Sequence, residues 1–124
     1  MEKIKFYVTS SGELVILESH PCTEIWRGMP EGVPVSKAIS APNTNDIIVL
    51  LEYSHNPKHS FNNLIRIGPD GSIIWYAELP KTAANDAYVE MELRENSLLA
   101  WSWSGYKAVI DLNSGNIVQK AFTK

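Results

Sequence analysis

The sequence predicts an all-β protein built from a repeating four-strand unit, and two observations lead to this prediction. Short runs rich in Val, Ile, Tyr and Trp recur between clusters of Gly, Pro, Asn, Asp and Ser, as strands recur between tight turns. No window keeps the 3.6-residue spacing of an amphipathic helix. The segments 69–72 and 113–116 (PDGS and NSGN) each place a glycine where a hairpin requires a positive φ.

Eleven strands follow from the positions of these breaks. They are expected near Lys3–Thr9, Glu13–Glu18, Glu24–Gly28, Val35–Ser40, Asp46–Ser54, Asn63–Ile67, Ser72–Leu79, Tyr88–Arg94, Ser97–Trp103, Lys107–Leu112 and Asn116–Phe122.

Length and composition indicate a single domain over residues 1–124, long enough to bury a core without disulfides or metal ions. Cys22 is the only cysteine, so an intramolecular disulfide is excluded, and a lone cysteine is most often a small buried apolar residue. The first residues are charged and then alternate, unlike a signal peptide, and no apolar run reaches the roughly 20 residues that span a bilayer. We therefore expect a cytoplasmic protein with no membrane partner.

The charge balance is mildly acidic, with 11 Lys and Arg against 14 Asp and Glu, for a net charge of −3. Nucleic-acid binding needs a basic surface that follows the phosphates, so a direct nucleic-acid partner is not expected. A basic protein partner suits this balance better.

An internal repeat sets the period of the fold. Residues Asp70–Glu78 (DGSIIWYAE) align with Ser114–Phe122 (SGNIVQKAF) at an offset of 44 residues. A fainter copy, Ile25-Trp26, stands 49 residues before Ile74-Trp75, and a proline follows both within five residues. Four strands in 44 to 49 residues match the roughly 40–50 residues of one β-propeller blade.

The segments PDGSIIWYAEL (69–79) and HPCTEIWRGM (20–29) resemble blades of the PQQ-like and WD40-like propellers. The WD dipeptide and its GH partner are absent, and no full tryptophan-docking motif is present. The resemblance implies a fold and transfers no cofactor site, so we expect no cofactor.

The chain holds two full periods and most of a third, in approximate blades 1–30, 31–80 and 81–124. Since propellers close with about four to eight blades, we expect an open partial β-propeller of about three antiparallel sheets. The middle sheet should then be apolar on both faces and each end sheet on one.

The alternation of residue types fits this expectation. In the middle unit, Ile47, Val49, Leu51 and Tyr53 are predicted on one face, with Ile48 and Leu50 on the other. At the first end, Ile4, Phe6 and Val8 alternate with Lys5, Tyr7 and Thr9. At the last end, Val89, Met91 and Leu93 are predicted inward and Tyr88, Glu90, Glu92 and Arg94 outward. Leu99, Trp101 and Trp103 are expected on one face of their strand, with Ala100, Ser102 and Ser104 on the other.

Catalytic motifs are absent: no nucleophile elbow, phosphate-binding glycine loop, HExxH or paired CxxC occurs, so we expect no enzymatic activity. His20, Cys22, His55 and His59 have residue types that bind zinc, but a solvated loop explains them better and no metal is expected. Glu90 and Glu92 lie some 6–7 Å apart by strand rise. On an open sheet face this pair suits binding or solvation better than glycoside hydrolysis.

An open stack exposes sheet faces and edges that a closed ring would hide, so a binding partner is expected. Small size, acidic balance, missing catalytic motifs and a truncated propeller make the chain similar to immunity proteins of bacterial contact-dependent growth inhibition and related toxin systems. One such family resembles half of a β-propeller. This resemblance implies a protein that binds a cognate toxin domain, of a ribonuclease type, and blocks its active site.

Ribonuclease sites are cationic because they bind phosphate, so carboxylates and aromatic side chains suit an inhibitor. By residue type and expected exposure, the acidic anchors are Glu52, Asp86, Glu90 and Glu92, and the aromatic ones are Tyr88, Trp103 and Tyr106. Two alternatives remain open: a half-propeller whose two copies complete a ring, and a module that binds sugars or other small ligands.

Overall fold

The computed structural model describes residues 4–20, 22–53, 61–80 and 85–123. In these residues the first sheet contains β1 (Ile4–Val8), β2 (Leu14–Glu18) and β3 (Thr23–Gly28). The second sheet contains β4 (Val35–Ser40), β5 (Ile47–Leu51), β6 (Leu64–Ile67) and β7 (Ile73–Tyr76). The third contains β8 (Tyr88–Arg94), β9 (Ser97–Ser102), β10 (Tyr106–Ile110) and β11 (Ile117–Phe122).

Each sheet is antiparallel, and strands that follow one another in the chain are neighbours in the sheet. The predicted all-β class and the three open sheets are confirmed, and each strand end lies within three residues of its predicted position. Helical structure in the described residues is limited to one 3-10 turn, Pro30–Gly32. Those residues therefore include no helix long and apolar enough to cross a membrane.

Two apolar cores separate the three sheets, and β5 contributes to both. Ile47, Val49 and Leu51 pack in the core between the first and second sheets. Ile48 and Leu50 pack in the core between the second and third sheets. The whole strand is buried, as predicted for a sheet that is covered on both faces.

The first sheet follows its predicted alternation. Ile4, Phe6 and Val8 pack against the core shared with the second sheet, whereas Tyr7 on the opposite face is exposed. Burying one face in a core and leaving the other in water is the pattern expected of a terminal sheet.

In the third sheet, the pairing of β9 with β8 decides which face of β9 is covered. Met91 pairs with Ala100 and Leu93 with Leu98, which places Ala100 and Leu98 on the inner face. Leu99 and Trp101 therefore lie on the outer face, and Trp103 follows the end of the strand. Both faces of β9 carry apolar residues, so alternation alone does not orient the strand.

The predicted outward orientation of Tyr88 is wrong. Tyr88 pairs with Ser102 and Glu90 with Trp101, so Val89 is the extra residue of a β-bulge. The bulge breaks the period of two, and the Tyr88 side chain joins Met91 in the inner core. A one-residue shift of this kind moves a side chain to the other face of a strand.

A tryptophan–glycine contact recurs at both junctions between sheets. A Cβ built on Gly71, at the turn before β7, would overlap the indole of Trp26 from the first sheet. A Cβ built on Gly115, at the turn before β11, would lie 2.7 Å from the indole of Trp75. The two glycines that the sequence repeat aligns therefore occupy the same place in successive sheets. The Trp75 Nε1–H also donates to the Leu112 carbonyl over 2.8 Å.

Candidate functional site

Several exposed side chains with binding chemistry lie at one end of the stack, where β5, β7 and β9 end and β6, β8 and β10 begin. Backbone contacts connect these strand ends: the N–H of Glu52 donates to the Pro34 carbonyl, and that of Phe61 donates to the Asp86 carbonyl. We call this region the aromatic end and define it by six residues, Glu31, Glu52, Tyr53, Phe61, Tyr76 and Trp103.

The rings of Tyr53 and Trp103 join the second and third sheets at the aromatic end. Their centroids lie 6.4 Å apart and the ring planes are tilted by 52°. Trp103 nevertheless remains 39 % exposed. Glu52, the residue before Tyr53, is also exposed. Two of the predicted partner-binding residues, Glu52 and Trp103, are thus exposed at the aromatic end.

A cavity of about 470 Å³ opens at the end of β7, lined by Glu31, Phe61, Asn62 and Tyr76. Tyr76 is 46 % exposed, and its hydroxyl donates to Glu31 Oε2 over 3.2 Å. Partial burial and the neighbouring Glu31 carboxylate raise the pKa of Tyr76. Asn62 is held by its side-chain amide, which donates to the Ala77 carbonyl.

Glu31 reaches this cavity from a tight turn. It has φ +58° and is followed by Gly32 with φ +70°, and the Val33 N–H donates back to the Pro30 carbonyl. Two successive positive φ angles reverse the chain abruptly, and a residue other than glycine pays a steric cost there.

Asp86 lies at the same end but is 1 % exposed, so its predicted exposure is wrong. Its Oδ1 accepts the backbone N–H groups of Ala87 and Ser104, and its Oδ2 accepts the Ser104 hydroxyl over 2.7 Å. The carboxylate satisfies turn donors that would otherwise be buried without partners. Its role in the described structure is to hold the turn between β9 and β10.

Tyr88 is fully buried beneath the aromatic end, and its hydroxyl donates to the Glu78 carbonyl over 2.6 Å. Burial raises the pKa of this phenol, and the negative charges of Asp86 and Glu78 add to the effect. The side chain therefore connects the second and third sheets and presents no surface to a partner.

Glu90 and Glu92 lie on β8, the edge strand of the third sheet, and Glu90 reaches Lys37 of the second sheet. Glu90 Oε1 accepts the Met91 N–H over 2.8 Å and contacts Lys37 Nζ at 3.2 Å. These two interactions, the backbone hydrogen bond first, lower the pKa of Glu90. Glu92 pairs with Arg94 at 2.8 Å. Both carboxylates are thus partly neutralised within the chain.

Tyr106 begins β10 and is half-buried. Its ring centroid lies 5.2 Å from that of Phe122, and Lys120 Nζ is 5.9 Å from the Tyr106 ring. The structure thus separates the seven predicted residues into three groups. Glu52, Trp103 and Tyr106 are accessible at the aromatic end, Asp86 and Tyr88 are buried beneath it, and Glu90 and Glu92 lie within β8 and are paired with Lys37 and Arg94.

Sequence reasoning missed Glu31, Phe61 and Tyr76. Tyr76 follows the buried Trp75 in β7, so strand alternation was the signal for its exposure. The turn signal of PEG (30–32) marked a surface position for Glu31. Nothing in the sequence indicated that the two side chains meet, because 45 residues separate them.

The zinc alternative finds little support in the described part of the chain. His55 and His59 lie outside the described residues. Cys22 is exposed, in contrast to the burial expected of a lone cysteine. Among the described residues no three His, Cys, Asp or Glu side chains are grouped as metal ligands would be.

Comparisons with solved structures identify the fold as a β-propeller. BamB from Moraxella catarrhalis is 15 % identical with a TM-score of 0.61, over 97 % of this chain and 33 % of that one. The Myceliophteria thermophila Cps50 (Swd1) β-propeller domain is 12 % identical with a TM-score of 0.69, over 98 % of this chain and 39 % of that one. The chain thus spans about a third of the first and about two fifths of the second.

A computationally designed protein, Ika4, is 10 % identical with a TM-score of 0.66, over all of this chain and 69 % of that one. At these identities the likeness shows the fold alone, and it confirms the open partial β-propeller. No curated protein matches the chain. One family model, described as a domain of unknown function (DUF7957), matches residues 34–122, which include the second and third sheets.

Proposed function

We propose that the chain, which belongs to the DUF7957 family, is an immunity protein that binds a cognate bacterial toxin domain and blocks the toxin's active site. The description of the family assigns no function, so the proposal is argued from the surface of the chain. The toxin that this surface suits is a basic nuclease, with a ribonuclease as the first candidate. In this proposal the chain acts in the cytoplasm by protein binding, without catalysis, cofactor, membrane or direct nucleic-acid contact.

The aromatic end is the observation that carries the proposal. It exposes the rings of Trp103 and Tyr76 and the carboxylates of Glu31 and Glu52, and Tyr76 contacts Glu31 directly. Neither carboxylate forms an ion pair within residues 4–20, 22–53, 61–80 and 85–123. Large aromatic side chains dominate protein-binding hot spots, and unpaired carboxylates attract a cationic active site and accelerate association.

Completion of the ring by a second copy has weaker support. The tryptophan–glycine contact that joins neighbouring sheets cannot form at the open side of the first sheet or of the third sheet. The repeat places Gln119 in the third sheet where the second has Trp75. It places Cys22 in the first sheet where the second has Gly71. A copy docking end to end would therefore lack both the indole and the glycine that receives it.

The proposal is tested by co-expressing the chain with nuclease domains encoded beside its gene, followed by size-exclusion chromatography and a nuclease assay. We expect a stable complex and loss of nuclease activity. Failure to bind or inhibit any encoded neighbour would overturn the proposal.

Charge-reversal variants identify the face that binds. Glu52→Lys at the aromatic end should weaken the complex and reduce its salt dependence, with most of the effect in the association rate. Glu92→Lys tests β8, the edge strand of the third sheet. Glu18→Lys is the matched control, because Glu18 is exposed at the end of β2 in the first sheet. Equal binding by Glu52→Lys and Glu18→Lys would remove the aromatic end as the binding surface.

A further inference from the structure

The cavity at the aromatic end has the dimensions of a side-chain receptor. Its volume of about 470 Å³ lies in the range of about 300–1,000 Å³ typical of ligand sites. It opens on the surface between the turn at Glu31 and the edge of the second sheet at Tyr76, where a partner has access. One long side chain of a partner fits such a space together with some water.

The lining of the cavity has the chemistry that recognises a cation. Phe61 and Tyr76 supply two aromatic rings, which attract a guanidinium or ammonium group through their π electrons. Glu31 supplies a negative charge, and its carboxylate accepts one hydrogen bond from Tyr76. A carboxylate has about four acceptor positions, so Glu31 retains acceptor capacity for a charged donor.

The second sheet and the Glu31 turn hold this arrangement in place before any ligand arrives. Phe61 packs against the core between the first and second sheets, and its N–H donates to the Asp86 carbonyl. Asn62 is fixed on the Ala77 carbonyl, and the backbone of Glu31 is held in its turn by the bond from Val33 to Pro30. A preformed site loses little conformational entropy on binding.

We propose that the cavity lined by Glu31, Phe61, Asn62 and Tyr76 receives an arginine or lysine side chain of the partner. This inference rests on the proposed function, because it names the anchor by which a basic toxin domain is held. It also makes a separate claim about the chain alone, namely that the cavity distinguishes a cationic side chain from a neutral one of the same shape.

The test uses the full chain labelled with nitrogen-15 and amide NMR spectra. The probe is N-acetyl-L-arginine methylamide, and N-acetyl-L-citrulline methylamide is the neutral probe of nearly the same shape. We expect saturable shifts at Phe61, Asn62 and Tyr76 with the arginine probe and binding weaker by about two- to fivefold with citrulline, as for an exposed ion pair. Methyl α-glucoside tests recognition of a sugar instead.

Two variants separate the role of Glu31 from general charge effects. Glu31→Gln should reduce arginine binding to the level of citrulline. Glu95→Gln is the matched control, because Glu95 also adopts a positive φ of 51° and is exposed at the β8–β9 turn. The control should bind arginine as the parent chain does. Absence of saturable shifts, equal binding of citrulline, or shifts with the glucoside alone would overturn the inference.

A second measurement distinguishes failure of this inference from failure of the proposed function. If an encoded nuclease binds the parent chain and Glu31→Gln equally well, the cavity is not the anchor, although the immunity function stands. If the arginine probe binds and no encoded neighbour does, the cavity is a cation site and the immunity function fails. Weakened nuclease binding by Glu31→Gln together with arginine selectivity supports both.

Discussion

The side-chain amide of Asn63 pairs with the backbone of Tyr88 as a neighbouring strand would. Its Nδ2 donates to the Tyr88 carbonyl over 2.7 Å, and its Oδ1 accepts the Tyr88 N–H over 2.8 Å. The same Nδ2 also donates to the Leu51 carbonyl over 2.9 Å. Asn63 is completely buried, and it connects the second sheet to the first strand of the third sheet.

Asn63→Ala should destabilise the protein by roughly 2–4 kcal/mol, because it removes three buried hydrogen bonds and leaves their backbone partners without this side chain. Asn62→Ala is the control: Asn62 is exposed, and among the described residues its side chain makes one bond, to the Ala77 carbonyl, so its loss should cost about 1 kcal/mol or less. Urea denaturation measures both free energies of unfolding. Equal effects of the two substitutions would contradict the role of Asn63.

Gly71→Ala and Gly115→Ala should each destabilise the protein by more than Gly32→Ala. All three glycines have positive φ, which costs alanine about 1 kcal/mol or more. Only Gly71 and Gly115 are covered by an indole, whereas a Cβ on Gly32 would meet nothing within 4 Å. The destabilisation by Gly71→Ala or Gly115→Ala beyond that by Gly32→Ala measures the cost of disturbing the contact between sheets. We expect this difference in the free energy of unfolding to be about 1–3 kcal/mol, measured by thermal or urea unfolding.

If Gly32→Ala proves as harmful as Gly115→Ala, backbone conformation alone explains the glycines. The tryptophan contact would then lose its structural role.

Tyr88→Phe should lower the stability at pH 8 by about 0.5–1.5 kcal/mol, through loss of the hydrogen bond to Glu78. The difference from the parent chain should shrink as the pH rises above about 10, the ordinary pKa of tyrosine. The folded state raises the pKa of Tyr88, so the phenol ionises in the unfolded chain at a lower pH than in the folded chain. The parent chain therefore loses stability as the pH rises through this range. Urea titrations between pH 8 and 11.5 measure the difference, and a constant difference would contradict the prediction.

Lys37→Met should raise the pKa of Glu90 toward its ordinary value without fully restoring it. The ammonium of Lys37 lowers this pKa, but the stronger cause, the hydrogen bond from the Met91 N–H, remains. Because the folded state lowers the pKa, the stabilisation is present above the unfolded value and is lost as the pH falls through the folded value.

NMR titration of the Glu90 carboxyl carbon measures this pKa directly. Lys5→Met, in the first sheet, is the control and should leave it unchanged. An unchanged pKa in Lys37→Met would show that the ion pair at 3.2 Å does not form in solution.

Most of the fold was predictable because strand and turn signals are local. Alternating side chains and turn glycines define where a strand begins and ends, and the apolar runs of β5 identified the sheet that is covered on both faces. The covered face of β9 was not predictable, because Leu98 and Ala100 on one face compete with Leu99 and Trp101 on the other. Only the pairing with β8 decides between them.

Less of the candidate site was predictable. Exposure of Glu52 and Trp103 followed correctly from residue type and position, but Asp86 and Tyr88 were assigned to the surface and are buried. For Tyr88 the cause is the bulge at Val89, which alternation does not reveal. Asp86 is buried because its carboxylate accepts hydrogen bonds from the backbone N–H and the hydroxyl of Ser104, in the turn after β9.

The amino-acid sequence by itself determined the all-β class, the strand positions, the repeat and the open array of three sheets, since each depends on residues close together in the chain. The tertiary structure alone decided which face of β9 is covered, where Tyr88 points and that Glu31 meets Tyr76 beside Phe61. These features depend on pairing register and on contacts between residues far apart in sequence. Their energies come from packing and desolvation, which exist only after the sheets have stacked.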